Sequence, residues 1–284
     1  MLRSQLCSAE SLRSPALRSW ADRLRPMWVS GDEDARDVML HRKMWEWLFI
    51  AEALRERAML AAGHRGLGFG VGQEPLAALF AADGCDIVAT DQPTEAAHAS
   101  GWSDSATEWA SDVDHLNHAG LCMDEDFAQR VRFRAVDMNA IPRDLRDFDF
   151  TWSSCALEHL GTLQAGLDFV VAQIDCLKPG GVAVHTTEFL LSSDTDTVEE
   201  GGTVFYRRRD IEHLARRLQD LGHDIDVDFT EGTTPDDLHV DVPPYSDVHL
   251  RTELSGYVTT SLALVVTKGT QPRRRGGLLG RRPR

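Results

Sequence analysis

The sequence has 284 residues, of which 42% are hydrophobic, and a formal net charge of −15 at neutral pH. This length fits one large globular domain with additions, and the acidic excess argues against nucleic-acid binding, which needs a surplus of Lys and Arg. The sequence has no run of about eighteen apolar residues that would predict a membrane span. No apolar segment follows the basic N-terminus, so a secretory signal is not predicted. Five scattered cysteines without CxxC spacing predict a reduced, cytoplasmic protein.

The first 60 residues are predicted to form a helical extension that precedes the main domain. Apolar residues recur at helical spacing between Val38 and Leu54, which predicts one helix over 36–62. Gly63 stands where that helix would end.

The most informative stretch runs from residue 64 to residue 91, HRGLGFGVGQEPLAALFAADGCDIVATD. It predicts a strand, a turn in which every second residue is glycine, a helix that begins near Pro75 and ends at Gly84, and a second strand that ends on Asp91. The dinucleotide pattern GxGxxG fails, because Val71 and Gln73 stand where a third glycine would be, and no Lys follows as in a P-loop. What is left is GxGxG followed by an acid about twenty residues on, which suits an adenosine without a pyrophosphate.

At this point the sequence resembles the class I S-adenosylmethionine (SAM) methyltransferases, although that family usually has Asp or Glu where Gly66 stands. The resemblance implies a domain over 61–268 with a doubly wound, seven-stranded Rossmann-like sheet of order 3-2-1-4-5-7-6, whose last strand is antiparallel. It also implies SAM as the cofactor. Separately, the Arg-, Gly- and Pro-rich composition of the C-terminus predicts a basic, disordered tail over 269–284. The residues implied to hold SAM near this turn are Gly68, Gly70 and Gly72 for the amino-acid end, and Asp91 and Gln92 for the ribose.

Two later strands carry further candidates. The strand over 131–136 ends on Asp137 and Met138, which the resemblance assigns to the adenine, although Asp137 would also suit the cap of the next turn. The strand over 147–154 ends on Ser154, a further candidate for SAM binding. His159 follows it and is a candidate general base, because the pKa of histidine lies near neutral pH; the alternative is a histidine that hydrogen-bonds the turn.

The segment LKPGG at 177–181 is predicted to break a helix over 163–177 and to lead into a strand over 182–187. At the end of that strand, His185 and Glu188 are candidates for catalysis or for a metal site, or alternatively members of a buried polar network. A late loop adds three candidate ligands for Mg²⁺ or another divalent metal: His239, Asp241 and His249.

These features together predict a SAM-dependent methyltransferase that acts on a hydroxyl of a sugar or glycosylated small molecule. A long insert over 92–126, rich in Trp and His, is either a lid over the acceptor or a small satellite core. Three alternatives stay open: an N-methyltransferase, an NAD(P)-dependent oxidoreductase, and a non-catalytic partner or regulatory protein with a SAM-binding fold. Self-association into a homo-oligomer is a further expectation.

Overall fold

A computed structural model describes residues 1–25, 39–104, 108–245 and 248–270. The predicted tail beyond residue 270 and the first three residues of the predicted helix over 36–62 lie outside these ranges. The strands are β1 (Ser4–Leu6), β2 (Arg65–Phe69), β3 (Asp86–Asp91), β4 (Val131–Ala135), β5 (Phe148–Ser154), β6 (Leu177–Leu190), β7 (Val227–Asp228), β8 (Val240–Asp241), β9 (Arg251–Leu254) and β10 (Tyr257–Thr267). The helices are α1 (Ala9–Leu12), α2 (Pro15–Leu24), α3 (Arg42–Glu56), α4 (Leu76–Ala82), α5 (Thr94–Ser100), α6 (Asp124–Arg130), α7 (Leu163–Gln173), α8 (Arg208–Asp220) and α9 (Pro235–Leu238).

The main sheet has the strand order β4-β3-β2-β5-β6-β10-β1-β7, and β8 and β9 continue it beside β10. The first five strands of this order run parallel, and β10 pairs antiparallel with β6. The predicted fold class is therefore confirmed, with β2, β3, β4, β5, β6, β7 and β10 as the seven strands of the predicted order. The predicted strand count is wrong: the described sheet has ten strands, because β1 lies between β10 and β7, and β8 and β9 are added beside β10.

Helices cover both faces of the sheet, which gives two apolar cores. On one face, α2, α3 and α4 pack over inward-facing rings such as Phe150 and Trp152. On the other face, α7 and α8 pack over Phe69 and Phe148. The apolar stripe of α8, formed by Ile211, Leu214 and Leu218, is fully buried there.

The N-terminal extension contributes to this architecture directly. Leu17, Trp20 and Leu24 of α2 are buried in the same core as α3 and α4. Trp20 donates its indole N–H to Glu52 of α3. None of the helices in the described ranges is long and apolar enough to cross a membrane.

Two predicted elements differ from the structure. Helix α3 ends at Glu56 rather than at residue 62, since Ala58 takes a positive φ of 57° that a right-handed helix does not allow. The predicted break at LKPGG lies inside β6: α7 ends at Gln173, a short 3₁₀ turn follows, and the strand begins at Leu177. Gly180 has a φ of 80°, and the β5–β6 register shifts between Phe148 and Phe150, so the strand absorbs the glycines as an irregularity.

Candidate active site

The glycines at the end of β2 have two different roles. A Cβ atom on Gly66 or Gly68 would overlap the ring of Phe150 or Trp152, so these two glycines make room for aromatic side chains of the neighbouring strand. Gly70 and Gly72 instead take positive φ values of 55° and 50°, which turn the chain sharply out of the sheet.

Asp91, at the end of β3, is 5% exposed and points into the protein. Its Oδ2 accepts from the backbone N–H of Gly72 at 2.9 Å and of Ala110 at 3.2 Å, and its Oδ1 accepts from Gln92 N–H at 2.7 Å. Burial raises the pKa of Asp91 to about 6, and these three amides oppose the shift. The carboxylate thus joins the glycine turn to the insert. Its Oδ1 accepts one of these three hydrogen bonds and can accept another from a ligand hydroxyl.

Part of the insert folds back over this region. Trp109 donates its indole N–H to the carbonyl of Gln92 at 3.1 Å, and Gln73 of the glycine turn donates to the carbonyl of Trp109 at 3.4 Å. Residues 109 and 110 therefore form a cover beside the turn and Asp91, as a lid would.

A second approach to the turn comes from β4 and β5. A Cβ on Gly70 would lie 2.8 Å from Cβ of Ala156 and 3.3 Å from Sδ of Met138, so the turn passes close to both strand ends. Asp137 is exposed, and its Oδ1 caps the following 3₁₀ turn by accepting from Asn139 N–H at 2.8 Å. The structure thus shows the capping role of Asp137; adenine binding by its other oxygen stays a prediction.

The first turn of α3 places a fully buried carboxylate, Glu46, over the ends of β5, β6 and β10. Burial alone would raise the pKa of Glu46, but Lys43, Arg42 and several hydrogen bonds bring it down to about 2. The hydrogen-bond donors to Glu46 are the hydroxyls of Ser154, Thr186 and Ser261 and the thiol of Cys155.

Two cations of α3 connect this carboxylate to neighbouring acids. Arg42 forms a 2.7 Å ion pair with Glu188, and Lys43 forms a 3.1 Å ion pair with Glu74, which lies two residues after Gly72. Burial raises the pKa of Glu188, and Arg42 opposes that rise. The cluster therefore joins the glycine turn, α3 and β6 through alternating charges.

The strand end beside Glu46 has an unusual backbone. Cys155 takes a φ of 46°, although it has a side chain, and its N–H donates to both the carbonyl and the hydroxyl of Thr186. Strain of this kind collects at functional positions. Burial, Glu158 and Glu46 hold the pKa of the Cys155 thiol well above its usual range, so the thiol stays protonated.

His159 lies just beyond this strand end. Its Nδ1 is 2.8 Å from the carbonyl oxygen of Gly202, and its ring lies edge-on to Trp102 of the insert at a centroid distance of 4.6 Å. A carbonyl only accepts, so Nδ1 carries the proton, and Nε2 of the neutral ring is left as the acceptor. This arrangement leaves His159 able to take a proton.

His185 does not lie at the same place. Its ring packs against Phe169 in the core under α7, and its Nδ1 bonds Ser153 Oγ at 2.8 Å. Burial lowers the pKa of His185 to about 3. Glu188 points to the opposite face of β6, toward α3, because side chains alternate along a strand. His185 and Glu188 therefore lie on opposite faces of β6, and a role of either residue in catalysis or metal binding stays a prediction.

The late-loop candidates are also separated. His249 pairs with Asp241 at 2.6 Å and stacks on His41 at 4.5 Å, whereas His239 is exposed at the end of α9. Within the described ranges, the one group of three or more such ligand atoms lying within 4.8 Å of one another is Cys155, Glu158 and Glu188. Only Glu188 of this group belongs to the predicted metal set, so His185, Glu188, His239, Asp241 and His249 do not form such a group in the described ranges.

Sequence reasoning missed Arg42, Lys43, Glu46 and Glu74. One signal was present for the three residues on α3: charges stand at positions 42, 43 and 46 of a helix whose next five residues, 47–51, are all apolar. Charges within such a helix must be paired when buried.

Comparison with known proteins agrees with this fold. Neither a protein-family model nor a curated protein matches the sequence. Among solved structures, the chain is similar to a candidate sarcosine dimethylglycine methyltransferase from Galdieria sulphuraria, with 14% identity, 90% of this chain and 99% of that chain covered, and a TM-score of 0.50. It is also similar to the [4+2]-cyclase SpnF, with 15% identity, coverages of 78% and 82%, and a TM-score of 0.51.

A SAM-dependent methyltransferase from Clostridium acetobutylicum aligns over 89% of this chain and 97% of that chain, at 15% identity and a TM-score of 0.44. The chain has the fold of the class I SAM-dependent methyltransferases. That fold is also found in a protein named as a cyclase, so the activity has to be argued from the site.

Proposed function

We propose that this protein is a SAM-dependent methyltransferase whose acceptor is a small molecule, with a hydroxyl of a sugar or a glycosylated compound as the methylated group. The observation that supports methyl transfer is the convergence of Gly70, Met138 and Ala156 beside the buried Asp91. Three strand ends meet there, at the edge where parallel sheets bind ligands. Cytoplasmic location and self-association stay predictions of the sequence.

In this proposal, SAM supplies a methyl group that its sulfonium activates for displacement. Gly70 and Gly72 would line its amino-acid end with bare backbone, Oδ1 of Asp91 would accept from a ribose hydroxyl, and Met138 would lie against the adenine. Gln92, which is hydrogen-bonded to the cover, and Ser154, at the end of β5, are the other two residues proposed to contact SAM. The fold of the insert over the turn excludes water, which favours transfer to the acceptor.

A hydroxyl acceptor needs a base, and His159 has the required tautomer. Its Nδ1–H is bonded to the Gly202 carbonyl, so Nε2 would take the proton of the acceptor hydroxyl while that oxygen took the methyl group and the methyl–sulfur bond broke, leaving a neutral thioether. The ring of Trp102 beside it offers an apolar surface that suits the C–H face of a sugar. No step requires a metal.

Replacing His159 tests this role. We expect His159→Ala to lower turnover by about 10²-fold or more, the usual contribution of a general base. Its affinity for S-adenosylhomocysteine should change less than about twofold. Turnover is measured by mass spectrometry as a gain of one methyl on candidate saccharide acceptors, and affinity by calorimetry. An equal loss of turnover and affinity would assign His159 to the structure instead.

A second candidate is N-methylation. Four carboxylates and two cations surround the start of α3: Glu46, Glu74, Glu158 and Glu188, with Arg42 and Lys43. Their net negative charge would attract a cationic amine. An amine needs less help from a base, so His159→Ala would keep most of its turnover on an amine acceptor. The two candidates are therefore separated by the same variant.

A further inference from the structure

We propose that Lys43 and Glu74 together bind the amino-acid end of the methyl donor, Lys43 through the donor's carboxylate and Glu74 through its ammonium. This inference rests on the proposed function, which puts that end of SAM at the glycine turn. It gives α3, which lies outside the motifs of the sequence, a direct part in cofactor binding.

The two side chains meet where the turn, α3 and β5 come together. The ammonium of Lys43 lies 3.1 Å from Oε1 of Glu74, 3.4 Å from Oε2 of Glu46 and 3.5 Å from the carbonyl oxygen of Ser154. Glu74 follows Gly72 by two residues, so the ion pair lies beside the bare backbone of the turn. A positive and a negative group side by side match the two charges of an amino acid.

The side chain of Lys43 is 36% exposed, whereas that of Glu46 is 0% exposed. Part of the Lys43 side chain is therefore accessible, while its ammonium is held by the acids and by Ser154. Moving Lys43 away would leave Glu74 without the ion pair that it forms in the described part of the chain, and would leave Glu46 with Arg42, at 3.7 Å, as its remaining cation there. Because stripping a buried carboxylate of its cation is costly, Lys43 stays in place, and the donor's carboxylate approaches it along the accessible part of its side chain.

The test compares two ligands that differ in the amino-acid end. S-adenosylhomocysteine carries that end, and 5′-methylthioadenosine lacks it. Both are titrated by calorimetry into the full chain and into Lys43→Met, which keeps the length of the side chain and removes its charge. We expect Lys43→Met to lower the affinity for S-adenosylhomocysteine by about tenfold or more and that for 5′-methylthioadenosine by less than twofold. Glu74→Gln should show the same selectivity, and Lys43→Arg should recover part of the lost affinity.

A matched control is Lys178→Met. Lys178 is similarly exposed, at 43%, and is paired with Asp149 at 2.7 Å, but it lies at the opposite end of the sheet. This variant should bind both ligands as the native chain does. Thermal unfolding of each variant shows whether it is folded. A further measurement needs no variant: the native protein is titrated with decarboxylated S-adenosylhomocysteine. We expect the native protein to bind this ligand at least tenfold more weakly than S-adenosylhomocysteine.

The outcomes separate this inference from the proposed function. If the native chain binds neither ligand, the proposed function and the inference both fail. If the native chain binds both ligands but Lys43→Met lowers the two affinities equally, the inference alone fails. It also fails alone if decarboxylation of S-adenosylhomocysteine leaves its affinity for the native chain unchanged. Tighter binding of S-adenosylhomocysteine to Lys43→Met would also overturn it and would show that Lys43 blocks the site.

Discussion

The main chain at Gly68 passes directly beside the indole of Trp152. A Cβ atom there would overlap this ring and lie 2.6 Å from Cγ1 of Val71. Trp152 is buried and packs edge-on against Phe80, so it has little room to move. Overpacking a filled core costs about 1–3 kcal/mol. We therefore expect Gly68→Ala to lower the free energy of unfolding by about 2 kcal/mol, as measured by denaturant titration.

The control for this effect is Gly202→Ala. Among the described residues, no atom outside its chain neighbours lies within 4 Å of the Cβ that would be added at Gly202, and the φ of Gly202 is not positive. The free energy of unfolding should then change by less than about 0.5 kcal/mol. If Gly68→Ala kept full stability and lost only its affinity for S-adenosylhomocysteine, the glycine would be required by the ligand and not by Trp152.

Spacing along the chain was sufficient to find Gly70, Gly72 and Asp91, because the turn and the next strand are local in sequence. It was not sufficient for Glu46, whose hydrogen bond to Ser154 joins residues 108 positions apart. Such a contact depends on how α3 packs over the sheet, and the helical pattern of α3 does not say which strand ends it meets.

At the scale of elements, the start of α3 depends on a neutral histidine. Nδ1 of His41 accepts from the backbone N–H of Lys43 at 3.1 Å and so caps the helix. Burial, the neighbouring His249 and the charges of Arg42 and Lys43 lower the pKa of His41 from 6.5 to about 4, and Glu46 opposes them. Between these values the unfolded chain binds a proton that the folded chain does not, so stability falls as the pH falls from 6.5 towards 4.

We expect this group to account for up to about 3 kcal/mol of that loss, which denaturant titration at pH 7 and at pH 4.5 will measure. His41→Asn is the control, because an amide oxygen also caps a helix but does not titrate. The other titratable groups are common to both proteins, so the difference between the two pH profiles reports His41 together with its coupling to His249. Identical profiles would contradict the assignment.

The elements themselves were predicted with uneven success, for physical reasons. The predicted last, antiparallel strand is present as β10, a run of β-branched and apolar residues bounded by Gly256 and Lys268 that has few other interpretations. The strand β6 was predicted too short, because Pro179 and two glycines normally end an element. The ladder with β10 begins at Val182, and ahead of it Gly180 and Gly181 exchange backbone hydrogen bonds with Lys268 while Leu177 pairs with Phe148 of β5, which keeps the segment in the sheet.

At the scale of the whole molecule, the sheet is completed by the N-terminus. The strand β1 pairs antiparallel with β10 and parallel with β7. Among the described strands, β7 pairs with β1 alone. No local pattern predicts this, because three residues carry too little periodicity and their partners lie more than 200 positions away. The fold class was predictable from the parallel βαβ units, whereas the place of this strand was not.

If β1 joins the two parts of the sheet, breaking its ladder should destabilise the entire fold. Gln5 pairs with Ala263 on one side and Asp228 on the other. Proline at this position removes a backbone donor and disfavours a central strand, so we expect Gln5→Pro to lower the free energy of unfolding by about 3 kcal/mol or more. The control Gln5→Thr keeps the N–H and suits a strand, and should stay within about 0.5 kcal/mol of the native value. Because β1 bridges β10 and β7, the loss should appear in the single unfolding transition monitored by far-ultraviolet circular dichroism and tryptophan fluorescence together. Native stability in Gln5→Pro would mean that the sheet closes without this strand.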